Sequence, residues 1–600
     1  MRTKILYLEK LRGISILLVL LFHLEIPGFN FGYYGVDVFF VISGFLMASL
    51  YGDIATRPEI ANYLLRRCAR ILPAYYLVIG VSSLVGILLL LPHELEMLMK
   101  QSLWSAFLLP NFGFWQDAAY FDYTLFRPLL NLWSLGVELQ FYLLFPLLLF
   151  VARYSPRLLL TIAVLSYLEY GLFNSIDPRN AFFLLPGRIW EFMVGYFACK
   201  YAIDETERNT VVGNLCLLAL LLGVPALSVI GFDNNFISTS ILLLLVFYVV
   251  RHGFTTGADT GLLSRSLLNL GRYSYSVYLV HFPVIAFFNY APFEGTNLAT
   301  DSMLDLAFCV FLISLLSVLL HHAVEIRTKK FLRPSILIAV SIASTVAIVG
   351  LSVIGPSLNR AAHSLEEINI SNALLDRDNS RCERRQGASA LVSGDCAAID
   401  LGSDSSRNYL LHGDSHADGI KLALSEVLQT RGHTLRITNN YAAVNSVNDN
   451  SLVLAEAERQ NVDVIILHSL PQEDSGAALE GFILAAAQKG MLVAFIGPVP
   501  SYEYDVPKKL ANDIGAGILQ LPAGIELQTH LERNKLLFDR LNELSARYDS
   551  FNWYESANFL CDEYCSIANE EWIPYYFDSN HLTVTGARLL APIFEQIGSL

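Results

Sequence analysis

The sequence predicts a polytopic α-helical membrane domain of about ten helices plus one linking helix, followed by an extracytoplasmic α/β/α domain with a parallel sheet. Three observations carry that fold class. The 600 residues are 54% hydrophobic and only 16% charged, with a mean hydropathy of +0.45; average soluble chains carry about 25% charge, so an ordinary cytosolic, collagenous or disordered protein is excluded. Long apolar runs recur through the first 355 residues, and from Tyr409 onward short apolar runs alternate with helix-like stretches. The formal charge of −14 divides the same way. Up to residue 334, 23 Lys+Arg face 22 Asp+Glu, and the remainder holds 18 against 33. The expected organisation is a membrane domain over 1–334, a linking transmembrane helix and linker over 335–380, and the outer domain over 381–600.

About 20 apolar residues cross a hydrocarbon core about 30 Å thick. Eleven stretches approach that length: roughly 13–30, 34–51, 72–92, 128–151, 158–173, 186–200, 211–230, 236–250, 273–290, 303–322 and 335–355. Short cytoplasmic loops are enriched in Lys and Arg. With the N-terminus inside, the inner segments collect 19 such residues, among them Arg66, Arg67 and Arg70, and the outer loops hold only Lys100, Arg127 and Arg179. An odd number of spans then puts residues 356–600 outside the cytoplasm. The first span is followed directly by a second and lacks a small-residue cleavage site, so it reads as a retained helix rather than a signal peptide.

Cys68, Cys199, Cys216 and Cys309 are scattered through the membrane half and read as small apolar filler. Cys382 with Cys396 and Cys561 with Cys565 form an even set in the outer half, and pairing within each short interval is favoured among the three connectivities. The rival reading, zinc, lacks a CxxC or nearby histidine spacing, and no metal is expected. Residues 356–380 are polar without clear periodicity and read as a linker. Beyond them, strands are expected at Tyr409–His412, Val462–Leu467 and Leu492–Ile496. Helices are expected at Asp418–Arg431, Leu452–Gln460, Ala477–Lys489 and His530–Tyr548. That alternation implies a parallel sheet covered on both faces.

Ionisable groups inside spans are costly and therefore functional candidates. Arg12 and His23 stand eleven positions apart, three turns plus about 20°, which puts both on one helix face roughly 16 Å apart along the axis. Glu138 enters from the opposite side of the membrane, about 15 Å deep. His23 and Glu138 are expected to meet near the midplane, where a carboxylate beside the imidazole would suit His23 to general-base work on a hydroxyl. Asp37 is a further candidate with weaker support. Arg67 and Arg70 are i,i+3 neighbours, a spacing that can grip phosphate.

In the outer half, Tyr409-Leu-Leu-His-Gly413-Asp414-Ser415 carries a strand into a helix, which would present the Ser415 hydroxyl above the sheet beside a helix N-terminus. Far along the chain, Asp578-Ser-Asn-His581 offers the partners of a Ser-His-Asp triad.

The ordered set Leu11-Arg12-Gly13 to His23, Gly35-Val-Asp37 through Ser43-Gly44-Phe45, Arg67–Arg70 with Pro73, Trp133-Ser-Leu-Gly-Val-Glu138, Arg188-Ile-Trp-Glu191, and Ser274-Tyr-Ser-Val-Tyr278-Leu-Val-His281-Phe-Pro283 resembles the membrane acyltransferase-3 family over about residues 5–330. The Gly-Asp-Ser and Asp-x-x-His blocks resemble the SGNH hydrolase-like domain that often follows it, over about 380–600. The resemblance implies an O-acyltransferase that moves acetyl from cytoplasmic acetyl-CoA, the acyl donor, to hydroxyls of an envelope polysaccharide such as lipopolysaccharide O-antigen, or of a lipid-linked glycan. It implies an inner-membrane, multi-pass protein in contact with lipid, with a periplasmic C-terminal domain and no nucleic-acid partner. Arg12, Arg67 and Arg70 would bind the donor, His23 and Glu138 would serve acyl transfer, and Ser415, His581 and Asp578 would be nucleophile, base and orienting acid. Two departures stand out: Leu139 occupies the position where the family commonly has a second acid, and no asparagine follows Ile465-Ile466-Leu467 to complete an oxyanion hole, leaving Asn440 or a backbone group as substitute. For Trp133, Trp190, Tyr278, His281 and Pro283 the reading is helix packing and kinks. The rival functions are a membrane-anchored extracytoplasmic carbohydrate esterase, a peptidoglycan O-acetyltransferase, and a glycan transporter with a degenerate outer domain.

Overall fold

The computed structural model describes residues 2–117, 125–201, 210–229, 235–254, 261–300, 302–331, 333–377, 397–399, 406–439, 447–469 and 475–600. The chain divides into a helical unit, Met1–Leu90 with Glu94–Asn359, and an α/β unit, Leu91–His93 with Arg360–Leu600.

In the helical unit each of the eleven apolar segments lies on a helix: Arg2–His23, Gly35–Tyr51, Arg57–Leu89, Leu132–Tyr154, Pro156–Ile176, Ile189–Lys200, Thr210–Val229, Asn235–His252, Leu262–Phe288, Met303–Leu320 and Pro334–Ala362. Among the described residues six helical stretches are long and apolar enough to cross a membrane: Gly32–Tyr51, Arg57–Leu89, Leu132–Tyr154, Pro156–Ile176, Met303–Thr328 and Pro334–Ala362. The first helix corrects its expected bounds. It ends at His23 rather than near residue 30, because Glu25 turns left-handed at φ 52° and Pro27 leads into Gly28 at φ 87°. The short 158–173 stretch is part of a 21-residue helix, started by Pro156 and by the Ser155 hydroxyl, which accepts from the Leu158 N–H. The expected linker is also partly helical. The last long helix runs on through Pro356 to Ala362, and a further helix, Leu365–Ser371, opens on a Ser364/Glu367 capping box.

Two helix pairs are drawn together by reciprocal glycines. A Cβ at Gly13 would stand 2.2 Å from the Leu267 carbonyl oxygen, and one at Gly271 would stand 1.9 Å from that of Glu9. Gly44 and Gly195 stand in the same relation, each 1.9 Å from a backbone oxygen of the facing helix, Phe192 and Val41 respectively. Small residues let apolar helices approach where no hydrophobic force separates them from lipid. The first pair of contacts fixes Arg2–His23 against Leu262–Phe288. Gly13→Ala is therefore expected to destabilise the protein by about 1–3 kcal/mol through overpacking, seen as a lower Tm in detergent. Gly350→Ala, with nothing within 4 Å of its Cβ, is the matched control and should leave Tm unchanged or raise it.

The α/β unit holds a six-stranded sheet of order β1-β3-β2-β4-β5-β6, formed by Ala397–Ile399, Asn408–Gly413, Thr434–Asn439, Val464–His468, Leu492–Ile496 and Phe551–Tyr554 in chain order. All neighbours are parallel except β1 with β3. The three expected strands are β2, β4 and β5, whose near-continuous apolar runs suit strands buried on both faces. The expected helix 530–548 is two, Leu527–Arg533 and Lys535–Arg547, divided at Asn534. Cys561 and Cys565 form a disulfide; the Cys382–Cys396 pairing lies outside the described residues.

Candidate functional site

Within the helical unit, a cleft with an empty volume of about 700 Å³ gathers four of the residues that the sequence singled out: Arg12, Arg67, Arg70 and Glu138. They come from three helices. Arg12 lies midway along Arg2–His23, the arginine pair lies on Arg57–Leu89 just before Pro73, and Glu138 lies near the start of Leu132–Tyr154. Arg67 is buried, its guanidinium packed over the Tyr51 ring at 4.9 Å and near Tyr142 at 5.7 Å, and its Nε has no hydrogen-bond partner among the described residues. Glu138 accepts hydrogen bonds from the Ser43 and Tyr142 hydroxyls. Three guanidinium groups line the cleft against one carboxylate, with Glu9 and Glu325 close enough to act on Arg12 from outside the lining, and a buried arginine nitrogen with nothing to bond is matched by an anionic ligand. These residues fit a polyphosphate-bearing acyl donor.

His23 departs from expectation. It does not line that cleft, and its partner is not Glu138, whose Oε1 accepts from Ser43 and Tyr142. It closes the first helix and meets His281, the two ring nitrogens (His23 Nδ1, His281 Nε2) standing 3.2 Å apart. The Gly13 and Gly271 contacts explain the pairing, because they hold the first helix against the one that carries His281. Position 139 holds a leucine packed against the apolar core, so no second acid supports Glu138. Asp37 is a brace: the buried Arg188 guanidinium joins it at 2.8 Å and Glu191 at 2.6 Å, among the rings of Trp133, Tyr170 and Phe182.

The α/β unit assembles the second set. Gly413 ends β2 beside His468 of β4, where a Cβ would lie 1.8 Å from the His468 carbonyl oxygen; only glycine fits. Asp414 caps the helix Ser415–Thr430 by accepting from the His416 N–H at 2.9 Å, which sets Ser415 in the first turn. Ser415 Oγ is 2.7 Å from His581 Nε2, and His581 Nδ1 is 2.7 Å from Asp578 Oδ2. A carboxylate on Nδ1 requires N–H there, so Nε2 accepts the Ser415 proton. Burial raises the Asp578 pKa, but the His581 ring and the backbone N–H groups of Asn580 and His581 outweigh it and hold the carboxyl below its usual range. It is ionised wherever the triad would work.

Sequence reasoning missed the rings around His581. His416 stacks on it, centroids 4.4 Å apart at 25°, and so does Phe577 at 5.3 Å and 11°. His416 is buried; desolvation, then the nearby His468 and His581, push its pKa down to about 3, so it is a neutral flat spacer. Its adjacency to Ser415 was the available signal. His468, which stands where an oxyanion asparagine was sought, is buried and its Nδ1 bonds the Ile496 carbonyl at 3.1 Å. Asn440 lies outside the described residues.

Comparison with known proteins agrees with this division. O-acetyltransferase OatA of Staphylococcus aureus strain NCTC 8325 is 30% identical over 307 residues, 47% of this chain and 51% of that protein, and OatA of strain COL gives the same figures. The chain spans about half the length of these curated relatives. A solved structure, the periplasmic domain of a Salmonella ser. Paratyphi A lipopolysaccharide acetyltransferase, covers 40% of this chain and 98% of its own at 18% identity, with a TM-score of 0.31. Residues 381–596 match the SGNH domain that is fused to AT3 domains, and residues 5–323 match the acyltransferase domain of the acyltransferase-3 family. With more than half its length in that match, the chain belongs to the acyltransferase-3 family and carries the fused SGNH domain.

Proposed function

We propose that this multi-pass membrane protein is an O-acetyltransferase that takes acetyl from cytoplasmic acetyl-CoA and delivers it to a hydroxyl of an envelope polysaccharide. The observation that carries the reading is the convergence of Arg12, Arg67 and Arg70 on one cleft with Glu138. The arginines hold the donor's phosphates. His23 takes the proton from the hydroxyl of an acyl carrier as its oxygen adds to the thioester carbonyl; the C–S bond breaks, the thiolate leaves with that proton, and the acetyl group stays on the carrier oxygen as an ester. Ser415, its proton taken by His581 with Asp578 behind it, then attacks that ester and releases the carrier hydroxyl, which regains the proton, and a glycan hydroxyl displaces the serine in the same way, since an acyl-serine serves transfer and hydrolysis alike. The excess of inner Lys and Arg supports a cytoplasmic N-terminus and a periplasmic α/β unit in the inner membrane. Mass spectrometry of envelope polysaccharide from cells with and without the gene tests the whole reading, and a missing acetyl group per repeat is the expected result.

Arg67→Ala is expected to raise the KM for acetyl-CoA about ten- to a hundredfold, the worth of one charge-assisted hydrogen bond at about 1.5–3 kcal/mol, with a smaller change in kcat. An unchanged KM would remove Arg67 from donor binding.

The formed triad favours a second reading, a membrane-anchored carbohydrate esterase. It predicts acetate release from an acetylated glycan by the full chain with no acyl donor added.

A further inference from the structure

The His23–His281 pair contains a proton arrangement that can be worked out from its partners. His281 is fully buried, and its Nδ1 lies 3.1 Å from the Val277 carbonyl oxygen and 2.9 Å from that of Tyr278. Carbonyl oxygens only accept, so Nδ1 carries the proton and Nε2 of the neutral ring is a lone pair. That lone pair faces His23 Nδ1 at 3.2 Å. Two lone pairs do not bond; His23 therefore holds its own proton on Nδ1, and its Nε2 is the basic nitrogen. The Val19 carbonyl, one turn back on the same helix, also accepts from the His23 ring, as Val277 does from His281, and the side chain is half-buried, between Phe22 and Phe282 at 5.0 Å each.

The anchor of this pair is also tied to the cleft. The Tyr278 carbonyl that holds His281 also accepts from Asn131 Nδ2 at 2.6 Å. The Tyr278 ring packs on His281 at 5.5 Å, and its hydroxyl, which bonds Ser134 at 2.5 Å, belongs to a residue of the cleft wall. Pro283, two residues on, interrupts the helix ladder at this level.

We propose that His281 is a positioning residue for acyl transfer: it fixes His23 as the Nδ1–H tautomer, so that Nε2 is presented to the acceptor hydroxyl, and stabilises the imidazolium formed when that proton arrives. The inference rests on the reading of His23 as the base. During transfer the hydroxyl proton moves to His23 Nε2, the Nδ1–H bond to the His281 lone pair strengthens as the ring becomes charged, and the proton then leaves with the departing thiolate. No net proton is gained by either ring.

The test uses the full chain in lipid nanodiscs. ¹⁵N-histidine NMR, with the His23 resonances assigned by their loss in His23→Ala, should show wild-type His23 protonated on Nδ1. An Nε2–H tautomer would overturn the proposal whatever the variants do. His281→Leu removes the acceptor and should lower kcat about tenfold or more with the KM for acetyl-CoA unchanged, whereas His281→Gln, which returns an acceptor oxygen near the Nε2 position, should recover most of it. Full kcat in His281→Leu, or equal loss in both variants, would reduce His281 to packing and sink the idea. Survival of activity in His23→Ala is the separate signature that the base reading itself has failed.

Discussion

Replacing His23 with alanine is expected to lower O-acetylation of the envelope polysaccharide by about 10²–10⁴-fold, the range that a positioned general base contributes, while the protein stays folded in the membrane. The size follows from what the site lacks otherwise. The carboxylate that lines the arginine cleft accepts from the Ser43 and Tyr142 hydroxyls at Oε1 and does not meet His23, and the three arginines are cations that cannot accept a proton. His281 is the other imidazole at hand, but its Nδ1 is committed to two carbonyls and its Nε2 to His23. Among the described residues no other imidazole stands beside this pair. Mass spectrometry of the polysaccharide with a quantified membrane level of the variant checks it, and near wild-type acetylation would remove His23 from the chemistry. The variant should also retain the wild-type KM for acetyl-CoA, because His23 lies outside the lining of the arginine cleft.

Much of this was legible in the sequence because the governing signals are one-dimensional. Apolar runs locate helices whatever their packing, and the i,i+3 spacing of Arg67 and Arg70 puts both on one helix face. The Gly413-Asp414-Ser415 turn is legible for the same reason: a glycine at close approach, an aspartate cap and a first-turn serine follow each other in the chain. What failed was pairing across helices. Depth alone suggested that Glu138 would meet His23, yet depth says nothing about azimuth, and the azimuth is set by Gly13 and Gly271, which press the first helix onto the one bearing His281. The end of the first helix was also missed, since hydropathy runs on through Leu24 and Ile26 while the backbone turns at Glu25 and Gly28. β3 and β6 were missed for a related reason: Thr434–Asn439 and Phe551–Tyr554 are short and mix polar with apolar residues, so neither reads as a buried strand. The stacking of the His416 and Phe577 rings on His581 was missed because residues 416 and 577 lie far apart in the chain.

Ser415→Ala in the full chain is expected to lower glycan acetylation by about three orders of magnitude or more, because members of such a triad act as a unit and loss of the nucleophile alone removes nearly all of its contribution. The geometry supports a working triad. Both links are 2.7 Å, Asp578 is held ionised, and the His581 ring is stacked by His416 and Phe577, so little reorganisation stands between the resting site and an attacking serine. Asp578→Asn should follow with a smaller loss, since an amide can no longer demand a proton on Nδ1 and the base loses its tautomer. Because Asp578 sits below the usual carboxylate range, its support is complete at neutral pH and is lost only as pH falls through its depressed pKa. The decisive comparison sets Ser415→Ala beside His23→Ala. If acetyl passes through an acyl-serine, the two variants fail alike in glycan acetylation, and the wild-type chain supplied with radiolabelled acetyl-CoA carries label on Ser415, whereas His23→Ala, which keeps the serine, does not. Wild-type glycan acetylation in Ser415→Ala would instead leave the α/β unit to position the acceptor, and the helical unit to complete the transfer alone.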